Sequence, residues 1–87
     1  SRDSQRAVEL YRRASDMHFA VAQRNLGQCL FDGIGVARDE SKAVQAYQLA
    51  ASQGDSAAQF SLAVCFEQGS GLKQDLGRAA EMYRLAA

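Results

Sequence analysis

Ser70 and Lys73 have the spacing of the S-x-x-K motif, in which a lysine lies beside the serine nucleophile of an acyl-transfer enzyme. Such enzymes also carry S-D-N and K-T-G segments, and neither tripeptide occurs in this sequence. Ser70 lies between Gly69 and Gly71, which indicates a turn rather than a preorganised site. The hydrolase interpretation therefore rests on one spacing alone, and we predict no catalytic residue and no enzyme activity.

The sequence has no cluster of residues that would support metal binding or thiol chemistry. His18 is the only histidine, and no second His or Asp lies at metal-ligand spacing from it, so we predict no metal site and no cofactor. Cys29 and Cys65 occupy equivalent repeat positions, which stacked helices hold about 8–10 Å apart, too far for a disulfide. We interpret both as buried thiols, which favours a reducing compartment such as the cytoplasm.

Two loops share a pair of glycines separated by one residue, at Gly33 and Gly35 and at Gly69 and Gly71. A phosphate-binding loop would need a preceding strand and either a third glycine or a Gly-Lys pair. We interpret the first glycine of each pair as the left-handed residue that ends a helix. Asp39 and Asp75, which follow the loops, are predicted to cap the next helices.

These loops recur because the whole chain repeats with a period of about 36 residues. Units of that length are helix pairs that bury their apolar faces only by stacking. We predict an all-α fold, an α-solenoid of antiparallel helix pairs with five helices, near residues 3–15, 20–32, 39–52, 56–68 and 75–86. Residues 1–15 would be the second helix of a truncated repeat, and residues 20–52 and 56–87 full repeats, in an excerpt of a longer solenoid.

Apolar residues at helical spacing identify the buried faces. Leu26, Leu62 and Tyr47 are predicted core residues, and each tyrosine hydroxyl should find a polar partner. Gly27 recurs as the small residue Ala63, which indicates close approach of a neighbouring helix.

Charge and hydropathy disfavour two classes of partner. Ten basic and ten acidic residues are interspersed and give no basic stripe for nucleic acid. No apolar run approaches the roughly 20 residues of a membrane-spanning helix, so we predict no membrane insertion.

The repeated residues resemble the Sel1-like repeat family, a relative of tetratricopeptide repeats. They are Ala22, Leu26, Gly27, Gly33, Gly35, Val36, Asp39, Lys42, Ala43, Tyr47, Ala50, Ala51 and Gly54. Leu30 and Phe66 replace the family's usual tyrosine. The resemblance implies a solenoid whose first helices line a concave face, and a non-catalytic adaptor that assembles other proteins in bacteria, the endoplasmic reticulum or mitochondria.

Within this family, the stretch SKAVQAYQLAASQGDSAAQ is also similar to repeats of animal mitochondrial stress adaptors. That similarity implies an alternative function, a mitochondrial stress-signalling adaptor that self-associates through its repeats.

The turn at residues 16–19 departs from the repeat, because His18 replaces Gly54 and Phe19 replaces Asp55. We expect this turn to be less regular than its counterpart. Its residues either pack Met17 and Phe19 on the preceding repeat or form a partner-contacting, pH-sensing projection.

The concave face offers a binding site for a protein or peptide partner. An apolar patch of Phe31, Phe60 and Val64, rimmed by Arg24, Asp32 and Glu67, suits an amphipathic helix or extended peptide. Alternatively, Phe60 and Val64 pack between adjacent first helices, or uncapped repeat ends associate with each other. The predicted face contains Arg24, Gln28, Phe31, Asp32, Phe60, Val64, Glu67 and Gln68.

Overall fold

The computed structural model describes all residues from 1 to 87 and confirms the all-α prediction. Its five helices are α1 (Arg2–Asp16), α2 (Ala20–Asp32), α3 (Glu40–Ser52), α4 (Ser56–Gln68) and α5 (Leu76–Ala86). The predicted bounds of α2 and α4 are identical to these, and those of the others differ by one residue at one or both ends. None of the five helices has the length and apolar character needed to cross a membrane.

The helices pack almost entirely on their neighbours in sequence. The tightest pairs are α2 with α3 and α4 with α5, and looser contacts of α1 with α2 and of α3 with α4 join one repeat to the next. This linear packing gives an elongated body of 39 × 22 × 17 Å, as expected of a solenoid.

The core runs along the contacts between helices. Tyr47 is 2% exposed, and Leu62 is also buried, as predicted. Leu26 is partly buried and packs against this core. Alanines at the contacts let the helix backbones approach closely. The core cluster consists of Leu30, Ala43, Val44, Tyr47, Leu62, Cys65, Phe66 and Ala79.

The predicted helix ends are confirmed. Asp39 accepts a hydrogen bond from the Lys42 N–H, and Asp75 accepts one from the Arg78 N–H, so each aspartate caps the helix that follows it. Gly33 ends α2 at φ 71° in the left-handed conformation.

The second glycine of each loop has an additional role that the sequence pattern did not reveal. Gly35 and Gly71 both have positive φ, and a β-carbon at either position would overlap backbone of the preceding second helix, at Ser4 and Glu40 respectively. Glycine therefore lets each loop lie directly on the beginning of that helix.

The turn at residues 16–19 is regular, so the prediction of irregularity is wrong. His18 adopts φ 67° where Gly54 has φ 87°, and Phe19 N–H donates to Ala14 C=O at 3.1 Å as Asp55 N–H does to Ala50 C=O at 3.2 Å. Histidine tolerates the left-handed conformation better than most side chains. Only the side-chain cap is lost, because Phe19 has no acceptor.

The interpretation that Met17 and Phe19 pack on the preceding repeat is also wrong. Their side chains are 66% and 57% exposed. The turn lies at the surface, and neither side chain contributes to the core.

Candidate peptide-binding groove

An open hollow of about 180 Å³ lies between α2 and α4, the first helices of the two full repeats. Tyr47 of α3 lies at its base. Four residues predicted for the binding face, Gln28, Phe31, Phe60 and Val64, line this hollow together. We call this surface the groove; its lining residues are Gln28, Phe31, Tyr47, Phe60, Ser61, Val64 and Cys65.

Helix geometry explains why these side chains converge. Phe60 and Val64 are four residues apart on α4, and Gln28 and Phe31 are three apart on α2, so each pair shares a helix face. The sequence pattern did not identify Ser61 and Cys65 as lining residues, because they lie at the edge of the buried stripe.

Phe60 is the large aromatic residue that the groove exposes most. Its side chain is 54% exposed. The ring meets Tyr83 of α5 edge to face, with centroids 5.4 Å apart and an interplanar angle of 71°. Val64 and Phe31 are half-buried beside it. The groove therefore presents apolar surface to solvent with Phe60 as its most prominent side chain.

Arg24 lies outside the hollow, in an ion pair between repeats. Its Nε is 3.0 Å from Asp55 Oδ1 and 3.2 Å from Asp55 Oδ2. Asp55 also caps α4 by accepting a hydrogen bond from the Ala58 N–H at 2.8 Å. Arg24 therefore holds the N-terminus of α4 on α2, a role that its position alone did not predict.

Gln23 and its repeat equivalent Gln59 are both buried, and each makes a polar contact, Gln23 within its own repeat and Gln59 with the repeat before it. Gln53 Nε2 donates to Gln23 Oε1 at 2.7 Å, and the equivalent residue Gln59 donates to Ala51 C=O at 3.2 Å. Gln23 and Gln59 lie one repeat apart in the sequence, so their recurrence could have predicted that this position makes a polar contact.

The tyrosine hydroxyls of the two repeats bond to different partners. Tyr47 donates to Gln28 Oε1 at 3.2 Å, and Gln28 Nε2 donates to Asp32 Oδ2 at 2.6 Å. Tyr83 donates instead to Glu67 Oε1 at 2.7 Å. These two hydroxyls thus have the polar partners that the sequence analysis expected, whereas the third, on Tyr11, makes no side-chain hydrogen bond.

These environments keep the groove's ionisable lining neutral. Burial, followed by the nearby Cys65 and Asp32, raises the pKa of Tyr47 to about 12. The hydrogen bond to Glu67 raises the pKa of Tyr83. Burial likewise raises the pKa of the Cys65 thiol, with Glu40 adding to it. A protonated thiol is a weak nucleophile.

Of the other candidate residues, only Cys65 is part of the groove lining. Ser70 is a turn residue, as predicted, and its N–H donates to Cys65 C=O at 3.0 Å. Cys29 and Cys65 are free, buried thiols, as predicted. No three His, Cys, Asp or Glu side chains converge as a metal site would require. Asp32 and Gln68 are exposed at the C-terminal ends of α2 and α4.

Comparison with known proteins places the whole chain in one family. The Sel1 repeat model matches residues 1–19, 20–55 and 56–87. A protective antigen with an SLR fold from uropathogenic Escherichia coli strains is 34% identical with a TM-score of 0.93, covering 94% of this chain and 18% of that one. A Sel1 repeat protein from Oxalobacter formigenes is 31% identical with a TM-score of 0.92, covering 95% of this chain and 34% of that one.

No curated protein matches the chain. The chain spans only 18% and 34% of the two solved structures, so it corresponds to a short part of such solenoids. Sel1 repeats generally serve as scaffolds for protein interactions. With all three segments matched and the five-helix solenoid shared with solved relatives, the protein belongs to the Sel1 repeat family.

Proposed function

We propose that the protein is a non-catalytic interaction domain that holds a peptide or helix of another protein in the groove. The observation that carries this proposal is the 54% exposure of Phe60 on the rim of an apolar hollow shared with Phe31 and Val64. A large aromatic side chain left exposed in a concave surface is typical of a site that gains affinity when a partner covers it.

The size of the groove favours one apolar anchor from the partner. Its volume of about 180 Å³ is similar to that of an engineered cavity of about 150 Å³ that binds benzene. Fully burying one large apolar side chain contributes about 1.5–3 kcal/mol, so affinity would come from this anchor together with backbone and flanking contacts. Arg24 and Glu67 flank the groove and are part of the proposed contact face.

Selection from a displayed library of random dodecapeptides tests the proposal. Peptides enriched on the protein should bind Phe60→Ala roughly tenfold more weakly, because the substitution removes the exposed ring. Leu49→Ala is the matched control, since Leu49 is 52% exposed on α3, outside the groove lining.

Binding that is equally strong to Phe60→Ala would reject the groove. A melting temperature that collapses in Phe60→Ala would instead assign the ring to the core. Arg24→Glu is a poor probe of binding, because it would place a second carboxylate beside Asp55.

Self-association is a second candidate, favoured by exposed leucines on α1 and α5. Leu10 of α1 is 63% exposed, and Leu76 and Leu85 of α5 are 64% and 55% exposed. Sedimentation velocity tests this candidate. The apparent molecular mass should increase with protein concentration, and this increase should be smaller for Leu85→Lys. A monomer at all concentrations would reject self-association.

A further inference from the structure

The two ends of the groove differ in charge. Since α2 and α4 are the first helices of consecutive repeats, they run parallel, and their C-terminal ends lie together at one end of the groove. At the opposite end the Arg24 charge is neutralised by Asp55, 3.0 Å away. The C-terminal end carries Asp32 and Glu67, and neither has a basic partner within 4 Å.

Hydrogen bonds connect both carboxylates to the groove, Asp32 directly and Glu67 through Tyr83. Asp32 accepts from Gln28, which lines the groove, and Glu67 accepts from Tyr83, whose ring contacts Phe60. Their donors are a neutral amide and a neutral hydroxyl, which leave both negative charges uncompensated. The C-terminal carbonyls of α2 and α4 add partial negative charge at the same end.

The basic residues near this end are engaged or placed elsewhere. Arg38 pairs with Glu40, and Arg78 lies 4.0 Å from Asp75. Lys73 borders a separate depression that it shares with Asp75 and Arg78. None of these cations forms an ion pair with Asp32 or Glu67.

We infer that the groove selects a segment in which a bulky apolar side chain is accompanied by Lys or Arg within about one helical turn. This inference rests on the proposed function and specifies the chemistry of its partner. The apolar side chain enters the hollow beside Phe60, and the cation lies over Asp32 and Glu67. An acidic segment is repelled from the same end.

The cation acts mainly on specificity and association rate. Exposed ion pairs alter affinity only a few-fold, whereas a buried anchor supplies most of the binding energy. We therefore expect the groove to prefer peptides with Lys or Arg, and this preference should weaken as the salt concentration rises. Its preference for apolar residues in the peptide should persist at high salt.

The test compares dodecapeptide selection on the protein with selection on the double variant Asp32→Asn/Glu67→Gln. The amide side chains keep an oxygen that can accept from Gln28 and Tyr83, so the local hydrogen bonds are preserved. A matched control, Glu9→Gln/Glu81→Gln, removes the same charge from exposed positions on α1 and α5.

The protein and the control should enrich peptides with an apolar residue beside Lys or Arg, whereas Asp32→Asn/Glu67→Gln should keep only the apolar preference. A basic peptide measured by fluorescence anisotropy should bind the groove variant roughly two- to tenfold more weakly. It should bind the control with unchanged affinity.

The outcomes distinguish the two proposals. Apolar peptides without a basic preference, lost on Phe60→Ala, would overturn this inference and leave the proposed function standing. Peptides whose binding survives Phe60→Ala, or no enrichment at all, would overturn both.

Discussion

Helices α2 and α4 occupy the same place in consecutive repeats but use their inner faces differently. In α2, Arg24 and Gln28 are engaged in contacts inside the protein, with Asp55 and Tyr47 respectively. In α4, the equivalent positions carry apolar residues, one of which is largely exposed. The aligned pairs are Arg24 and Phe60, Gln28 and Val64, and Phe31 and Glu67. The repeat thus fixes a position, and the residue type decides whether that position makes a contact inside the protein or remains exposed.

The same comparison explains the different surroundings of the two tyrosines. Val64 provides no acceptor where Gln28 provides one, and the Tyr83 hydroxyl bonds to Glu67 instead. At Gly27, a β-carbon would lie 2.8 Å from the Tyr47 ring, whereas Ala63 has such a carbon. Tyr47 therefore lies closer to α2 than Tyr83 can lie to α4, and Tyr83 remains available to pack against Phe60.

The largest expected effect is the loss of stability in Tyr47→Ala, at about 3–5 kcal/mol, the usual range for truncating a buried aromatic residue. Tyr83→Ala should cost clearly less, because Tyr83 is only half-buried. Urea denaturation measures both. Equal losses of stability would show that Tyr47 and Tyr83 are packed equally well in their repeats. A urea denaturation midpoint of Tyr47→Ala equal to that of Arg38→Ala would show that the buried face is misassigned.

Alkaline pH should destabilise the protein at the same residue, because it favours ionisation of the buried Tyr47 hydroxyl. The pKa of Tyr47 is about 12 in the folded protein and about 10 in an unfolded chain, so folding favours the protonated form. The contribution of protonated Tyr47 to the free energy of unfolding is fully present below about pH 10. It is lost as the pH rises towards 12, which lowers the free energy of unfolding by about 2–3 kcal/mol.

Thermal denaturation followed from pH 9 to 12 checks this dependence, with Tyr47→Phe as the control that cannot titrate. The variant should start less stable, since it loses the hydrogen bond to Gln28, and should show a smaller decline with pH. An identical decline in both proteins would assign the pH effect to other groups, such as the thiols, whose pKa values burial also raises.

The contact between repeats should be sensitive to Asp55→Ala, which removes both the cap of α4 and the ion pair with Arg24. We expect a loss of about 1–3 kcal/mol, against about 1 kcal/mol for Asp39→Ala, which removes a cap alone. Chemical denaturation compares them. Equal losses would mean that the Arg24 ion pair contributes nothing measurable.

A smaller effect on stability is expected for Phe60→Ala, at about 0.5–1.5 kcal/mol from its edge-to-face contact with Tyr83. Arg38→Ala, a surface change, should stay within about 0.5 kcal/mol. Differential scanning calorimetry measures both. A loss of several kcal/mol in Phe60→Ala would contradict the comparison, because α4 would then use its inner face for packing as α2 does.

Much of the fold was predictable, because it depends on signals within one repeat. The offset of about 36 residues located the helices, and Asp39, Asp75 and Gly33 marked their ends through local hydrogen bonding and backbone conformation. The wrong prediction, an irregular turn at His18, treated glycine as essential where histidine also adopts the left-handed conformation.

The site was only partly predictable. Helical spacing brought Gln28, Phe31, Phe60 and Val64 to one face, and the structure places them around one hollow. Spacing did not reveal that Tyr47 lies at the base of this hollow or that Arg24 is engaged elsewhere, since both depend on how adjacent repeats are rotated against each other.

By itself, then, the sequence determined the repeat, the helix ends and the apolar stripes, because each depends on residues within one helix or one turn. The tertiary structure decided which side chains remain available to a partner. Arg24 and Asp55 are 31 residues apart, and Glu67 and Tyr83 are 16 apart. Whether such groups pair depends on the stacking of whole helices, which sets distances and burial that no local pattern encodes.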